Sequence, residues 1–205
     1  MATSFAKRLS STLTIILLAS SPASAEWQFK PFVGLTFAGD TTFLVDFEQV
    51  VGGKNLVIGG NATWLGPVVG IEGDFGYGPG FFEGGDDLDL VRNSSVVTFT
   101  GNVVLAFPRS LTEYTLRPYF VGGAGLMRVK GEDVPVGDLE PVFRTSSTLG
   151  CVDFGGGITG FLTERIGLNW DVRWFKSVGG EDKGLSVNEE ALSFWRATMA
   201  VAVRY

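Results

Sequence analysis

The sequence predicts an all-β fold, an eight-stranded antiparallel up-and-down transmembrane β-barrel, on three observations. Beyond residue 25, apolar and polar side chains alternate with a period of two along nearly the whole chain, which sends them to opposite faces of extended strands. The alternating segments run to about ten residues or more, the length a tilted strand needs to cross a hydrocarbon core. The connections between them are short and long by turns, as in barrels whose two rims face different compartments.

Composition removes most alternatives. The 205 residues include 29 Gly and 17 Phe, with aromatics at 13%. There are 0 His and 1 Cys. Without imidazole, the usual general base, nucleophile partner and metal ligand are missing. One thiol closes no internal disulfide and builds no thiolate zinc site, so neither a metal nor a cofactor is expected. A net charge of −6 argues against nucleic acid as a partner.

Residues 1–25 read as a secretory signal peptide. Lys7 and Arg8 form the positive start, Leu13 to Ala19 the apolar stretch, and Ala23-Ser24-Ala25 the cleavage site. The apolar run stops at Ser20-Ser21-Pro22, short of the roughly 20 residues of a spanning helix. Cleavage leaves the barrel domain, residues 26–205. Losing Lys7 and Arg8 leaves 14 basic against 22 acidic residues, a net of −8.

The strands are expected at Trp27–Ala38, Leu56–Leu65, Val68–Gly78, Val96–Phe107, Thr115–Arg128, Thr148–Leu162, Ile166–Val178 and Ala191–Tyr205. The seventh shows the rule: Ile166, Leu168, Trp170, Val172 and Trp174 alternate with Gly167, Asn169, Asp171, Arg173 and Phe175. Strands two and three join at Gly66-Pro67, four and five across Pro108 to Tyr114, and six and seven through Thr163-Glu164-Arg165. The other joints are long: Gly39 to Asn55, Pro79 to Ser95, Val129 to Ser147 and Gly179 to Glu190. These long loops are acidic, with Asp40, Asp46 and Glu48 in the first and Glu83, Asp86, Asp87 and Asp89 in the second. The third holds Glu132, Asp133, Asp138 and Glu140, and the fourth Glu181, Asp182, Glu189 and Glu190.

Tyr77-Gly78-Pro79-Gly80, the run Arg117-Pro118-Tyr119-Phe120-Val121-Gly122-Gly123-Ala124-Gly125, and a last amphipathic strand ending in Tyr205 resemble the porin-like outer-membrane β-barrel family. The resemblance implies the eight-strand architecture of the OmpA membrane domain and OmpX, and a place in the bacterial outer membrane. It implies lipid and lipopolysaccharide as surroundings, and the barrel-assembly machinery as a partner reading Tyr205 as the assembly signal. Phe is the commoner terminal residue, so Tyr205 departs from the pattern. The family's members include structural barrels, small pores, adhesins and a few lipid-modifying enzymes. Those enzymes use His, so their chemistry does not carry over.

The apolar phase carries aromatic rings near strand ends, as expected where rings meet headgroups. Trp27, Trp64, Phe107 and Tyr205 are assigned to the periplasmic rim, and Phe37, Tyr77, Trp174 and Trp195 to the outer rim. The polar phase holds both signs: Lys30, Arg117, Arg173, Arg196 and Arg204 against Glu72, Asp74, Asp153 and Asp171. Eight strands leave an interior that side chains just fill. These charges are therefore expected to pair in a lumen ion-pair network, with Gly34, Gly70, Gly155 and Gly157 making room for arginines. A soluble lipocalin-like barrel alternates too, but with its apolar phase inward.

Other motifs carry less. Gly155-Gly156-Gly157-Ile158-Thr159-Gly160 matches G-x-G-x-x-G but leads into a turn rather than a helix, so strand glycine is the better reading. The stretch from Glu83 to Asp89 has carboxylates but not the spacing of a calcium loop. Cys151 falls in the polar phase and reads as a packed thiol. The functional expectation is a structural or porin-like barrel with a plugged lumen, and not an enzyme. The competing reading is an adhesin or surface antigen binding an extracellular ligand at its loops, where Phe43, Phe47, Phe81 and Phe82 would be exposed.

Overall fold

In a computed structural model of the protein, the described residues are 25–41, 54–81, 91–108, 111–112, 116–133, 144–178 and 192–205. The strands are β1 (Glu26–Thr41), β2 (Asn55–Leu65), β3 (Val69–Pro79), β4 (Val91–Ala106), β5 (Leu116–Asp133), β6 (Arg144–Phe161), β7 (Ile166–Val178) and β8 (Leu192–Arg204). Each pairs antiparallel with its neighbour in sequence, and β8 pairs with β1 to close the barrel. Closure removes the unpaired edges that hydrocarbon cannot hydrate. At the seam, Tyr205 N–H donates to the Trp27 carbonyl at 2.9 Å.

Strong tilt follows from the register. Stepping from pair to pair, Phe29 leads through Ala62, Gly73, Gly101, Ala124, Val152, Lys176 and Ser193 back to β1 at Asp40. Each row of opposed residues thus climbs toward the long-loop end from β1 to β8, as the stagger of a closed barrel requires. Where β1 meets β8 the pairing slips between Phe37 and Asp40, and Ala38 takes a left-handed φ of 48°. This is a bulge, which bends the strand away from regular pairing.

Four strands run well past the expected limits. β1 reaches Thr41, β4 begins at Val91, β5 extends to Asp133 and β6 begins at Arg144. The β5–β6 pairing continues out to Glu132 opposite Arg144. Alternation marks only the part of a strand with one oily face. Residues 91–95, 131–133 and 144–147 are polar in both phases for the most part, so the ladder continues after the pattern has stopped.

The barrel is inside out. Phe99, Phe120, Ile71 and Leu126 face outward and stay 57–63% exposed, whereas Asp74 and Arg173 on the other phase are at 0%. A lipocalin-like arrangement would reverse this, so that alternative is overturned. Residues 1–24, which include nearly all of the expected leader, lie outside the described residues, as do the acidic stretch Glu83–Asp89, Phe43, Phe47 and Phe82. Phe81, expected to be exposed, is 1% exposed and packs inside the long-loop end of the barrel.

Candidate functional site

The candidate site is the barrel interior, built by the inward phase of every strand. Its centre is Arg173 on β7, with no exposed surface. Strand periodicity puts Asp171 two residues away on the same face. Arg173 Nε donates to Asp171 Oδ1 at 2.6 Å and Nη2 to Oδ2 at 3.1 Å. From across the lumen, Glu72 on β3 accepts from Arg173 Nη1 at 2.7 Å. Asp74 Oδ2 and Asp153 Oδ2 each stand 3.7 Å from the same Nη1. One guanidinium therefore gathers four carboxylates from three strands, which its planar fork of donors suits.

Two more cations share the cluster. Lys30 Nζ lies 3.5 Å from Glu72 Oε2, which also accepts from Thr63 Oγ1 at 2.9 Å. Arg196 on β8 grips Asp74 through both terminal nitrogens, at 2.9 and 2.8 Å. The Phe32 and Phe175 rings flank its guanidinium, each 4.7 Å away at the centroid. Asn102 on β4 bridges the cluster: with its amide nitrogen toward Asp153 it donates at 2.9 Å, and its oxygen accepts from Arg173 Nη1 at 3.0 Å. Burial without partners would be prohibitive for these charges, and the geometry supplies the partners.

Arg117 and Arg204 stand apart from this cluster, contrary to the expectation of a single network. Both pair with Glu26 at the short-turn end, at 3.4 Å each. Arg117 also donates to the carbonyls of Gly66 and Pro67 at 2.8 Å, and Arg204 to that of Glu164 at 2.7 Å. The reason is height along the tilted strands: these residues sit near the turn ends of β5 and β8, beyond reach of the central carboxylates. The long-loop end differs again, because much of its interior is apolar. Phe81, Val96, Met127, Val129, Cys151, Phe175, Leu192 and Phe194 form one buried cluster there. Phe175 stacks on Phe194 at 5.2 Å, and Phe81 meets Phe194 edge-on at 5.1 Å.

Sequence reasoning missed several partners. Tyr119 donates to Asp171 Oδ2 at 2.6 Å, accepts from Asn169 Nδ2 at 3.0 Å, and lies 5.2 Å from Lys30 Nζ at the ring centroid. Its inward phase, two residues from Arg117, was the available signal. Glu26 shares the phase of Gln28 and Lys30 but precedes the first recognised strand residue. Of the four glycines expected to make room for arginines, only Gly155 does so. A Cβ at Gly155 would press on Arg173 Cγ at 3.0 Å, but one at Gly157 would strike the Tyr119 hydroxyl at 2.6 Å. Gly34 makes way for Thr198 and Gly70 for Leu65. The glycine that admits Arg196 is Gly76, where a Cβ would lie 2.8 Å from Nη1.

On the outer wall, Trp27 stands opposite Trp64 near the short-turn rim, with Phe107 and Tyr205 exposed at the same end. Phe37, Trp195 and Trp174 lie on one row toward the long-loop end, and Trp174 meets Phe154 edge-on at 5.3 Å. Tyr77 occupies a different row, opposite Val97. Among the described residues no cluster of three or more Cys, Asp or Glu is placed to hold a metal ion.

A closed eight-strand barrel with an oily outside and an ionic inside defines an integral membrane barrel of the outer-membrane type. The chain belongs to the outer membrane protein β-barrel domain family, which matches residues 11–194. The fold is similar to that of Neisserial surface protein A, with a TM-score of 0.60 at 12% identity over 90% of this chain and 100% of that one. It is also similar to OprG from Pseudomonas aeruginosa, with a TM-score of 0.53 at 14% identity over 91% and 98% of the two chains. The N-terminal barrel domain of Pseudomonas aeruginosa OprF gives 0.52 at 13% identity over 88% and 98%. No curated protein matches the sequence.

Proposed function

We propose that this chain is a structural barrel of the bacterial outer membrane, exported by the leader of residues 1–25. Its lumen is plugged, and its four acidic loops face outward. It has no catalytic residue and uses no cofactor in this reading. The absence of His from the whole sequence supports the non-enzymatic reading. Its partners are outer-membrane lipid, lipopolysaccharide and the barrel-assembly machinery.

The observation that carries this reading is the Arg173 cluster, stacked directly beneath the apolar Phe81–Phe175–Phe194 cluster. An ion crossing the barrel would have to separate buried ion pairs, then shed its hydration against a layer of packed aromatic and aliphatic side chains. Both costs are several kcal/mol in a dry interior. Planar-bilayer recording of the reconstituted full chain tests it. The expected trace is a baseline with at most brief picosiemens events, and a steady nanosiemens conductance would overturn the plug.

A further inference from the structure

Two defects interrupt one interface of the barrel, the seam where β1 closes on β8. No pairing is made with β8 at Lys30 and Pro31, although Phe29 opposite Val203 and Phe32 opposite Ala200 keep one register on either side. Beyond Phe37 the ladder slips again, at the bulge where Ala38 holds its left-handed φ of 48°. That conformation is strained for a residue with a Cβ. Among the described residues the other interfaces are unbroken, apart from the slip between Arg92 and Ser95 in the outer extension of β4.

The first defect has a chemical cause. The Trp27 carbonyl accepts from Tyr205 N–H across the seam, so strand alternation turns the backbone groups of Phe29, Pro31 and Val33 toward β8 as well. Proline has no N–H, and the carbonyl of Val201 opposite it loses that donor. Within a sheet, proline is confined to edge strands and bulges. A closed barrel has no edge, so Pro31 makes the seam the nearest thing to one. Below this point the seam is clamped by the Tyr205 bond and by the Glu26–Arg204 pair at 3.4 Å. Above the bulge, pairing resumes with Asp40 opposite Ser193 and Thr41 opposite Leu192. The stretch Phe32–Phe37 is therefore a short ladder of its own, set off by a missing rung at one end and a bulge at the other.

Behind this ladder the interior is small and largely uncharged. The inward residues are Phe32, Gly34 and Thr36 from β1 and Arg196, Thr198 and Ala200 from β8, with no carboxylate among them. Phe32 packs with Val57 and Ala200, and its ring lies over Arg196. On the outer wall beside β1, a groove of about 680 Å³ passes Phe29, Ile58 and Gly60 and reaches the inward-facing Phe32. We infer that the seam parts reversibly between Phe32 and Phe37, between the bulge and the clamp at the short-turn end. The plug closes the barrel along its axis, whereas this opening is sideways, through the wall. Parting the strands here turns mostly small or apolar groups toward hydrocarbon and leaves the Arg173 cluster covered.

Hydrogen–deuterium exchange of the full chain in lipid vesicles, read by mass spectrometry, tests this. Peptides covering Phe32–Phe37 and Trp195–Ala200 are expected to exchange at least about fivefold faster than Val97–Val103 on β4, the equivalent of about one hydrogen bond. Pro31→Val supplies the missing N–H and is expected to slow the seam about fivefold while leaving β4 unchanged. Val33→Cys combined with Met199→Cys places two thiols opposite each other across the seam, at a separation a disulfide spans. The oxidised double variant is expected to exchange at the β4 rate, and reduction to restore the fast rate. Wild-type exchange at the seam as slow as that of β4 would overturn the inference. So would fast exchange that survives the oxidised lock, or a Pro31→Val seam as fast as wild type. Should Pro31→Val not fold, the lock alone decides. A heat-dependent gel shift of each variant checks the closed barrel separately, so a failed barrel and a failed seam are told apart.

Discussion

Arg173 organises the interior because a guanidinium offers five donors in one plane, and β7 carries it to the point where β3, β6 and β7 all present carboxylates. Lys30 is a point charge at the edge, 3.5 Å from a Glu72 that already accepts from Arg173 and Thr63. The two residues should therefore fail differently. Arg173→Leu removes the guanidinium from Asp171 and Glu72, leaving Asp171 with Tyr119 and Glu72 with Lys30 and Thr63, and is expected to cost about 3–5 kcal/mol. Lys30→Met leaves Glu72 with two donors and should cost less than half as much. Urea titration in lipid vesicles, followed by tryptophan emission, measures both. Equal losses would remove Arg173 from the centre of the cluster.

Each strand has two solvents, so identical substitutions should have depth-dependent effects along one face. Val172 lies midway along β7 and Ile166 at its short-turn end, and both are exposed, at 43% and 49%. An arginine at Val172 is expected to destabilise by about 2–4 kcal/mol and one at Ile166 by about 0–1 kcal/mol. The same vesicle titration ranks them, and equal costs would mean that the face is not in hydrocarbon. At the closing strand, Tyr205 presents an 83% exposed ring while its backbone N–H holds the seam to Trp27. Tyr205→Phe should assemble at wild-type levels. Deleting Tyr205 should lower the folded fraction in outer-membrane extracts, measured by immunoblot, because both the ring and the seam bond are lost.

Taken whole, the molecule is a closed ladder around a buried, charge-paired interior, and a closed ladder resists detergent at room temperature. Unheated samples are therefore expected to migrate apart from boiled ones on denaturing gels. Co-migration would contradict the closed barrel. The three interior layers follow from the tilt: rows climb around the wall, so residues a few positions apart on neighbouring strands reach different heights. Arg117 and Arg204 meet Glu26 at the bottom, Arg173 and Arg196 meet their carboxylates in the middle, and Phe81 with Phe194 fills the top.

From the sequence alone came the strand number, the faces, the alternation of turn and loop, and the inward placement of Lys30, Glu72, Asp74, Arg173 and Arg196. A period of two is local, and any strand with one oily face must display it. Pairing partners were decided only by tertiary structure. Glu72 reaches Arg173 at 101 positions' separation, and Arg196 reaches Asp74 at 122. Such meetings depend on register and tilt, which belong to the closed sheet and not to any one strand. The extensions of β4, β5 and β6 were hidden for the complementary reason: where both phases of the sequence are polar, a paired strand leaves no alternating trace.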